Sequence, residues 1–98
     1  LYRLQEVAHP PVRTRYVKPR YPARALRRER QGRVEVEFTV AVDGTVEDAR
    51  AHHGRSRGDF EEAALRAVRQ WRFRPGRRAD DEPVPVRCVV TVEFKLHE

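Results

Sequence analysis

An α+β sandwich of two layers, with elements in the order α-β-β-α-β, is the fold that this sequence predicts. Three observations carry the expectation. Apolar and polar residues alternate over 33–42 and again over 84–96, the period of a strand with one wet face. Between them, Phe60, Ala63, Ala64, Ala67, Val68 and Trp71 recur at helical spacing and form one apolar stripe. Asp43-Gly44 closes the first alternating stretch, a strong hairpin signal. With 98 residues the chain has room for one domain.

Residues 1–20, with prolines at 10, 11 and 19, read as an extended lead-in, and residues 21–98 as the folded domain. Pro22 opens a short helix over about 22–29. A proline at the first helical position forfeits no hydrogen bond, the Ala, Leu, Arg and Glu that follow favour helix, and Gly32 suits the stop. Ala25 and Leu26 are expected inward. The next strand turns Val34, Val36, Phe38, Val40 and Val42 to one face. A type I′ turn at Asp43-Gly44 then leads into a second strand over about 45–53, whose inward phase slips near Asp48 and predicts a bulge. His52 to Gly58 is loop. Asp59 is placed to cap a helix of about 59–71, with Glu62 reaching back to it. Glu61 and Glu62 at its start and Arg66, Arg69 and Arg72 toward its end complement the helix dipole. Pro75-Gly76 closes the helix and 77–82 is a charged loop. The last strand holds Val84, Val86, Cys88, Val90, Val92, Phe94 and Leu96 on one parity, and Arg87, Thr91, Glu93 and Lys95, with Val89, on the other.

The hairpin makes the first two strands antiparallel, and the helical crossover makes the second and third parallel. One arrangement meets both demands: a three-stranded antiparallel/mixed sheet of order 2-1-3 with both helices on one face. The last strand is then a long edge, with one row of N–H and C=O groups left without an intramolecular partner, and Pro85 interrupts only its beginning. Such an edge accepts a guest strand. It also admits pairing of two final strands in a symmetric homodimer.

Net charge is +6, from 21 Lys+Arg against 15 Asp+Glu, which invites acidic partners. The cations are spread along the chain, however, and Glu35 and Glu37 occupy the wet sheet face where base-stacking aromatics would be required. Nucleic acid is therefore not an expected partner. Cys88 is the single cysteine, so neither an internal disulfide nor a Cys-based metal site is available. Its parity makes it a small buried apolar residue rather than a nucleophile. Adjacent His52 and His53 on an extended segment point to opposite faces, so no metal is expected there. Asp80-Asp81-Glu82 reads as a solvated loop. Without a nucleophile elbow, a glycine-rich phosphate loop or paired carboxylates, no catalytic residue, cofactor or enzymatic activity is expected. No apolar run reaches the ~18 residues of a membrane span. The chain opens at Leu1 and contains no methionine, so it reads as a fragment or mature piece of something longer, with room for anchoring or targeting segments upstream.

The runs Tyr21-Pro22-x-x-Ala25, Gly32-x-Val34-x-Val36-x-Phe38 and Asp43-Gly44-x-Val46 resemble the C-terminal domain of TonB proteins. So does Phe60-x-x-Ala63-Ala64-x-x-Ala67-Val68-x-x-Trp71-x-Phe73-x-Pro75, and the closing strand with Phe94 and Leu96 fits too. The likeness covers about 18–96. It implies the periplasmic domain of a protein anchored in the cytoplasmic (inner) membrane of a Gram-negative bacterium. It further implies a non-catalytic adaptor that binds the TonB box of outer-membrane transporters by β-strand addition. Such proteins pass on proton-motive energy harvested by the ExbB–ExbD complex, which they meet through the missing N-terminal region, for uptake of siderophores, haem or vitamin B12. The residues that the resemblance implies in partner binding are Lys18, Pro19, Arg20, Tyr21 and Pro22 before the first helix; the open edge of the last strand adds Arg87, Val89, Thr91, Glu93 and Lys95, the residues of one parity. Lys18 departs from the glutamine that many members carry, which bears on box preference rather than on box binding. The alternative setting is a TonB-like module of another envelope protein, such as a sensor, a TolA-like protein or a motility complex. A basic nucleic-acid module is the weakest reading.

Overall fold

The lead-in, residue for residue, is more structured than its scattered apolar positions suggest. In the computed structural model, which describes residues 1–52 and 58–96, it contributes β1 (Tyr2–Arg3) and β2 (Val12–Arg15), followed by the single-turn helix α1 (Ala23–Arg27). The hairpin is β3 (Gly32–Val40) and β4 (Val46–Ala51). Helix α2 (Gly58–Val68) leads to the short strands β5 (Arg72–Arg74), β6 (Gly76–Arg77) and β7 (Pro83–Val84), and β8 (Val86–Phe94) closes the chain. The fold is mixed α+β, but the main sheet has four strands in the order β1-β8-β3-β4, not three. The extra member is the lead-in's own β1, parallel to β8 through Tyr2↔Val86 and Arg3↔Arg87. Two further pairings strap the lead-in down: β2 against β5, and β6 against β7 with His9 bridging to Arg77.

The core lies between the sheet and α2. Val34, Val36, Val40, Phe60, Val68 and Val86 are almost completely buried, and Phe60 stacks on Phe94 with ring centroids 4.8 Å apart. Tyr21 meets both rings edge-on and donates its hydroxyl proton to the Arg30 carbonyl, which fixes the chain entering α1.

Several local expectations are corrected. α1 covers 23–27 instead of 22–29, with Pro22 just outside it. So short a helix presents one residue to the sheet: Ala25 is buried while Leu26, expected inward, is 52% exposed. β3 ends at Val40, which leaves Val42 exposed in the turn. That turn is a three-residue loop, not type I′. Gly44 N–H donates to Ala41 O, Ala41 N–H donates to Thr45 O, and only Gly44 in the loop has positive φ. The bulge near Asp48 is present: the β3–β4 register shifts between Glu37 and Thr39, and Asp48 has φ +52. Asp59 lies inside α2, not before it. Its Oδ2 accepts from Arg30 at 3.1 Å, and Glu62 pairs forward with Arg66 at 3.0 Å, so the two form no capping box. α2 stops at Val68, and Trp71 and Phe73 lie beyond it. The expected strand over 84–96 breaks at Pro85 into β7 and β8. Cys88 is half-buried, not enclosed, and burial pushes its thiol pKa up. His53 and most of the loop from His52 to Gly58 lie outside the described residues.

Candidate functional site

β8 has two sides. Toward β3 its pairing is unbroken from Gly32↔Phe94 to Val40↔Val86. On the other side, Tyr2 N–H donates to Pro85 O at 3.0 Å, so the odd-numbered residues turn their main-chain groups outward at that end. Strand alternation then puts the N–H and C=O of Val89, Thr91 and Glu93 on the same side. β1 covers this side only as far as Arg87. Among the described residues no strand pairs with it from Cys88 to Phe94.

A groove runs beside that open stretch, its far wall formed by Tyr16, Pro19 and Trp71 facing Val90 to Glu93. The wall is held in place. Trp71 Nε1 donates to Val17 O at 2.8 Å, the Tyr16 and Trp71 rings lie 5.3 Å apart, and the Arg13 guanidinium sits 4.4 Å and 4.6 Å from their centroids. Trp71 therefore does more than fill the core, its expected role: it fixes the segment that borders the edge. The groove continues past Lys18, Pro19, Tyr21 and Leu26 to Glu93 through Leu96.

The ten expected partner-binding residues divide into three sets. Val89, Thr91, Glu93 and Lys95 project from the open stretch of β8 or just beyond it, and all four are exposed. Lys18, Pro19 and Tyr21 line the groove beside it, while their neighbours Arg20 and Pro22 line a groove against α2 instead. Arg87 belongs to neither, because β1 covers its main chain and its side chain is engaged. It donates to Glu37 Oε2 at 2.7 Å, to Thr39 Oγ1 at 2.8 Å and to Asp48 O at 3.1 Å, linking β8, β3 and β4. His52 Nε2 lies 2.7 Å from Glu37 Oε1. The Arg87 hydrogen bond, followed by that of His52, holds the Glu37 carboxyl below the usual glutamate range. Sequence reading missed Tyr16 and Arg13 as part of the wall; an exposed aromatic beside a proline-flanked segment was the available signal.

Among the described residues no group of three or more His, Cys, Asp or Glu is placed to hold a metal ion. The Asp80 carboxylate is engaged by Arg78 at 2.6 Å. No described helix is long and apolar enough to cross a membrane.

The outer side of β8 is thus an open sheet edge beside a groove walled by Tyr16, Pro19 and Trp71. Residues 17–96 match the family model described as Gram-negative bacterial TonB protein C-terminal. The chain is 32% identical to protein TonB of Escherichia coli over 82% of its own length and 31% of that protein. To protein TonB of Salmonella typhimurium it is 37% identical, with the same coverage of 82% and 31%. The solution NMR structure of the Pseudomonas aeruginosa TonB CTD superimposes with a TM-score of 0.75 at 27% identity, covering 90% of this chain and 88% of that one. The chain belongs to the TonB C-terminal family. It spans 31% of the length of the first two relatives.

Proposed function

We propose that this chain is the non-catalytic, periplasmic receptor-gripping domain of a TonB-type energy transducer. It takes the TonB box of an outer-membrane transporter as an added strand on the outer side of β8. One observation carries the reading: the main chain of β8 is unpaired from Cys88 to Phe94 on a side that opens onto a groove. Each added main-chain hydrogen bond contributes a net ~0.5–1.5 kcal/mol. A handful gives a grip of a few kcal/mol after ordering costs. Pulled along the strand axis, such bonds share the load in shear, and once the load is gone each is weak enough to release. In this reading a membrane-anchored N-terminal portion meets ExbB–ExbD, and the cargo is a scarce nutrient such as a siderophore, haem or vitamin B12.

The test is a titration of the isotopically labelled domain with a transporter-derived box peptide. Amide shifts are expected over 88–96 and 18–22, and not in β4. Absence of shifts at millimolar peptide would overturn the proposal.

A further inference from the structure

The lead-in closes the start of the β8 edge and then turns away from it. Tyr2 N–H donates to Pro85 O at 3.0 Å, and β1 pairs Tyr2 with Val86 and Arg3 with Arg87. A third pairing in the same register would set Leu4 against Cys88. Instead, Leu4–Glu6 coil into a single 3-10 turn and β1 ends. Since Tyr2 N–H faces β8, strand alternation turns Arg3 N–H away from it, and that N–H donates to Glu6 Oε1 at 2.7 Å. The donor that β1 presents on its own outer side is therefore already taken, so the edge does not simply continue on β1. The chain after the turn is also tied down. His9 N–H donates to Arg77 O at 3.0 Å, and Arg77 N–H donates to His9 O at 2.9 Å. The packing here is close: a Cβ built at Gly76 would lie 2.6 Å from Val86 Cγ2 and 3.5 Å from His9 O. The lead-in is thus held on β8 before the turn and on β6 after it.

We propose that β1 and the turn after it form an end stop, which fixes where a guest strand begins on β8 and thereby sets its register. Of the nine residues of β8, β1 pairs with Val86 and Arg87, which leaves Cys88 to Phe94 for the guest. Main-chain pairing reads little side-chain identity, so pairing alone lets a guest slip along the edge. A slip of one residue exchanges the two faces of a strand. A guest that abuts Leu4 loses that freedom, and its distance from the stop decides which of its side chains lie on the wet face of the sheet. The guest favoured is a short extended segment whose chain turns away from the sheet at Cys88; a long, straight strand overruns the stop. The proposal rests on the strand-addition reading above and adds to it the place where the added strand ends.

Two neutral peptides of alternating threonine and valine test it, one short at five residues and one long at eleven, because their repeat favours no register. Affinity is measured by calorimetry and the contact surface by amide shifts of the labelled domain. With the wild type, shifts from either peptide should begin at Cys88 and leave the Tyr2 and Arg87 amides in place. Tyr2→Pro removes the N–H that Pro85 O accepts, and release of β1 is read from faster hydrogen exchange at Arg87. In that variant the long peptide should shift residues back to Val86 and bind about fivefold tighter than it binds the wild type, the scale of one net main-chain hydrogen bond. The short peptide, which fits within the open stretch, should bind both alike. Tyr2→Phe keeps the N–H and should match the wild type. If the long peptide moves the Tyr2 and Arg87 amides of the wild type, it displaces β1 and the stop is refuted. The stop is equally refuted if Tyr2→Pro, with β1 released, changes both peptides by the same factor or changes neither. Strand addition survives each of those results. If no peptide shifts 88–96 in any variant, strand addition fails and the stop fails with it.

Discussion

The central strand β3 has an antiparallel neighbour on each side, and the two differ. β4 is six residues long, its register against β3 shifts at Asp48, and Glu47, Asp48 and Arg50 are exposed along it. β8 is nine residues long, and its register against β3 has no irregularity. Short, bulged and charged is how a sheet blunts an edge against unwanted pairing. The sheet applies that device to one side and withholds it from the other. The comparison teaches that the two neighbours of β3 differ in how far they are blunted: β4 is short and bulged, whereas β8 is long and regular and is covered only at its start. β1 sharpens the point: the lead-in covers β8 at its start and goes no further than Arg87.

The largest expected effect comes from proline on alternate residues of β8. Val90 pairs with Val36 and turns its N–H toward β3, so Val90→Pro removes a ladder hydrogen bond, and the clash of its ring with β3 adds to the ~1–3 kcal/mol of leaving the partner acceptor unsatisfied. Thr91 turns its N–H outward, where proline is tolerated. Thr91→Pro should leave the urea midpoint much closer to wild type while eliminating the amide shifts caused by a box peptide. Equal destabilisation by the two variants would mean that the two sides of β8 are not distinct.

Gly44 ranks next. It has φ +86, and a methyl group built there would run into the Phe73 carbonyl oxygen. Its own carbonyl accepts from Phe73 N–H at 2.9 Å, so the hairpin tip is seated on β5. Gly44→Ala should cost about 2 kcal/mol, read from denaturant unfolding. Peptide affinity for the folded fraction should not change, because the tip lies at the opposite end of β3 from Gly32, which pairs with Phe94. A loss of affinity as well would show that the two ends of the sheet are coupled.

How much of this was legible in the sequence follows from the range of each interaction. Period-two alternation found β3 and β8, helical spacing found α2, and the phase slip found the bulge at Asp48, since each of these signals is local. The open edge was legible because it follows from element order. The fourth strand was not: β1 is two residues long and pairs with residues more than eighty positions away, so no periodic pattern marks it. Leu26 was misplaced because a five-residue helix has too few turns to show which face is inward. Arg87 was assigned to the edge by parity alone. Its engagement with Glu37, Thr39 and Asp48 depends on three strands meeting, which alternation within one strand cannot express.

That three-strand junction gives the smallest and most discriminating prediction. Glu37 accepts from Arg87 and His52, both at 2.7 Å, and its carboxyl is held below the ordinary glutamate range. Because the folded-state pKa is depressed, the stability that Glu37 contributes is fully present above the unfolded value near 4.5 and is lost as pH falls through the lower folded value. Glu37→Gln should therefore have a lower urea midpoint than wild type at pH 7, and the gap should narrow as both are acidified below about pH 4.5. Box-peptide shifts over 88–96 should persist in the variant at pH 7, since the junction ties Arg87 into the sheet at the end that β1 already covers. A gap that stays constant down to pH 3 would mean that the Glu37 charge does not hold this seam. Lost peptide shifts in a still-folded variant would mean that the covered and open ends of β8 act as one unit, and the contrast between the two edges would then need to be redrawn around Arg87.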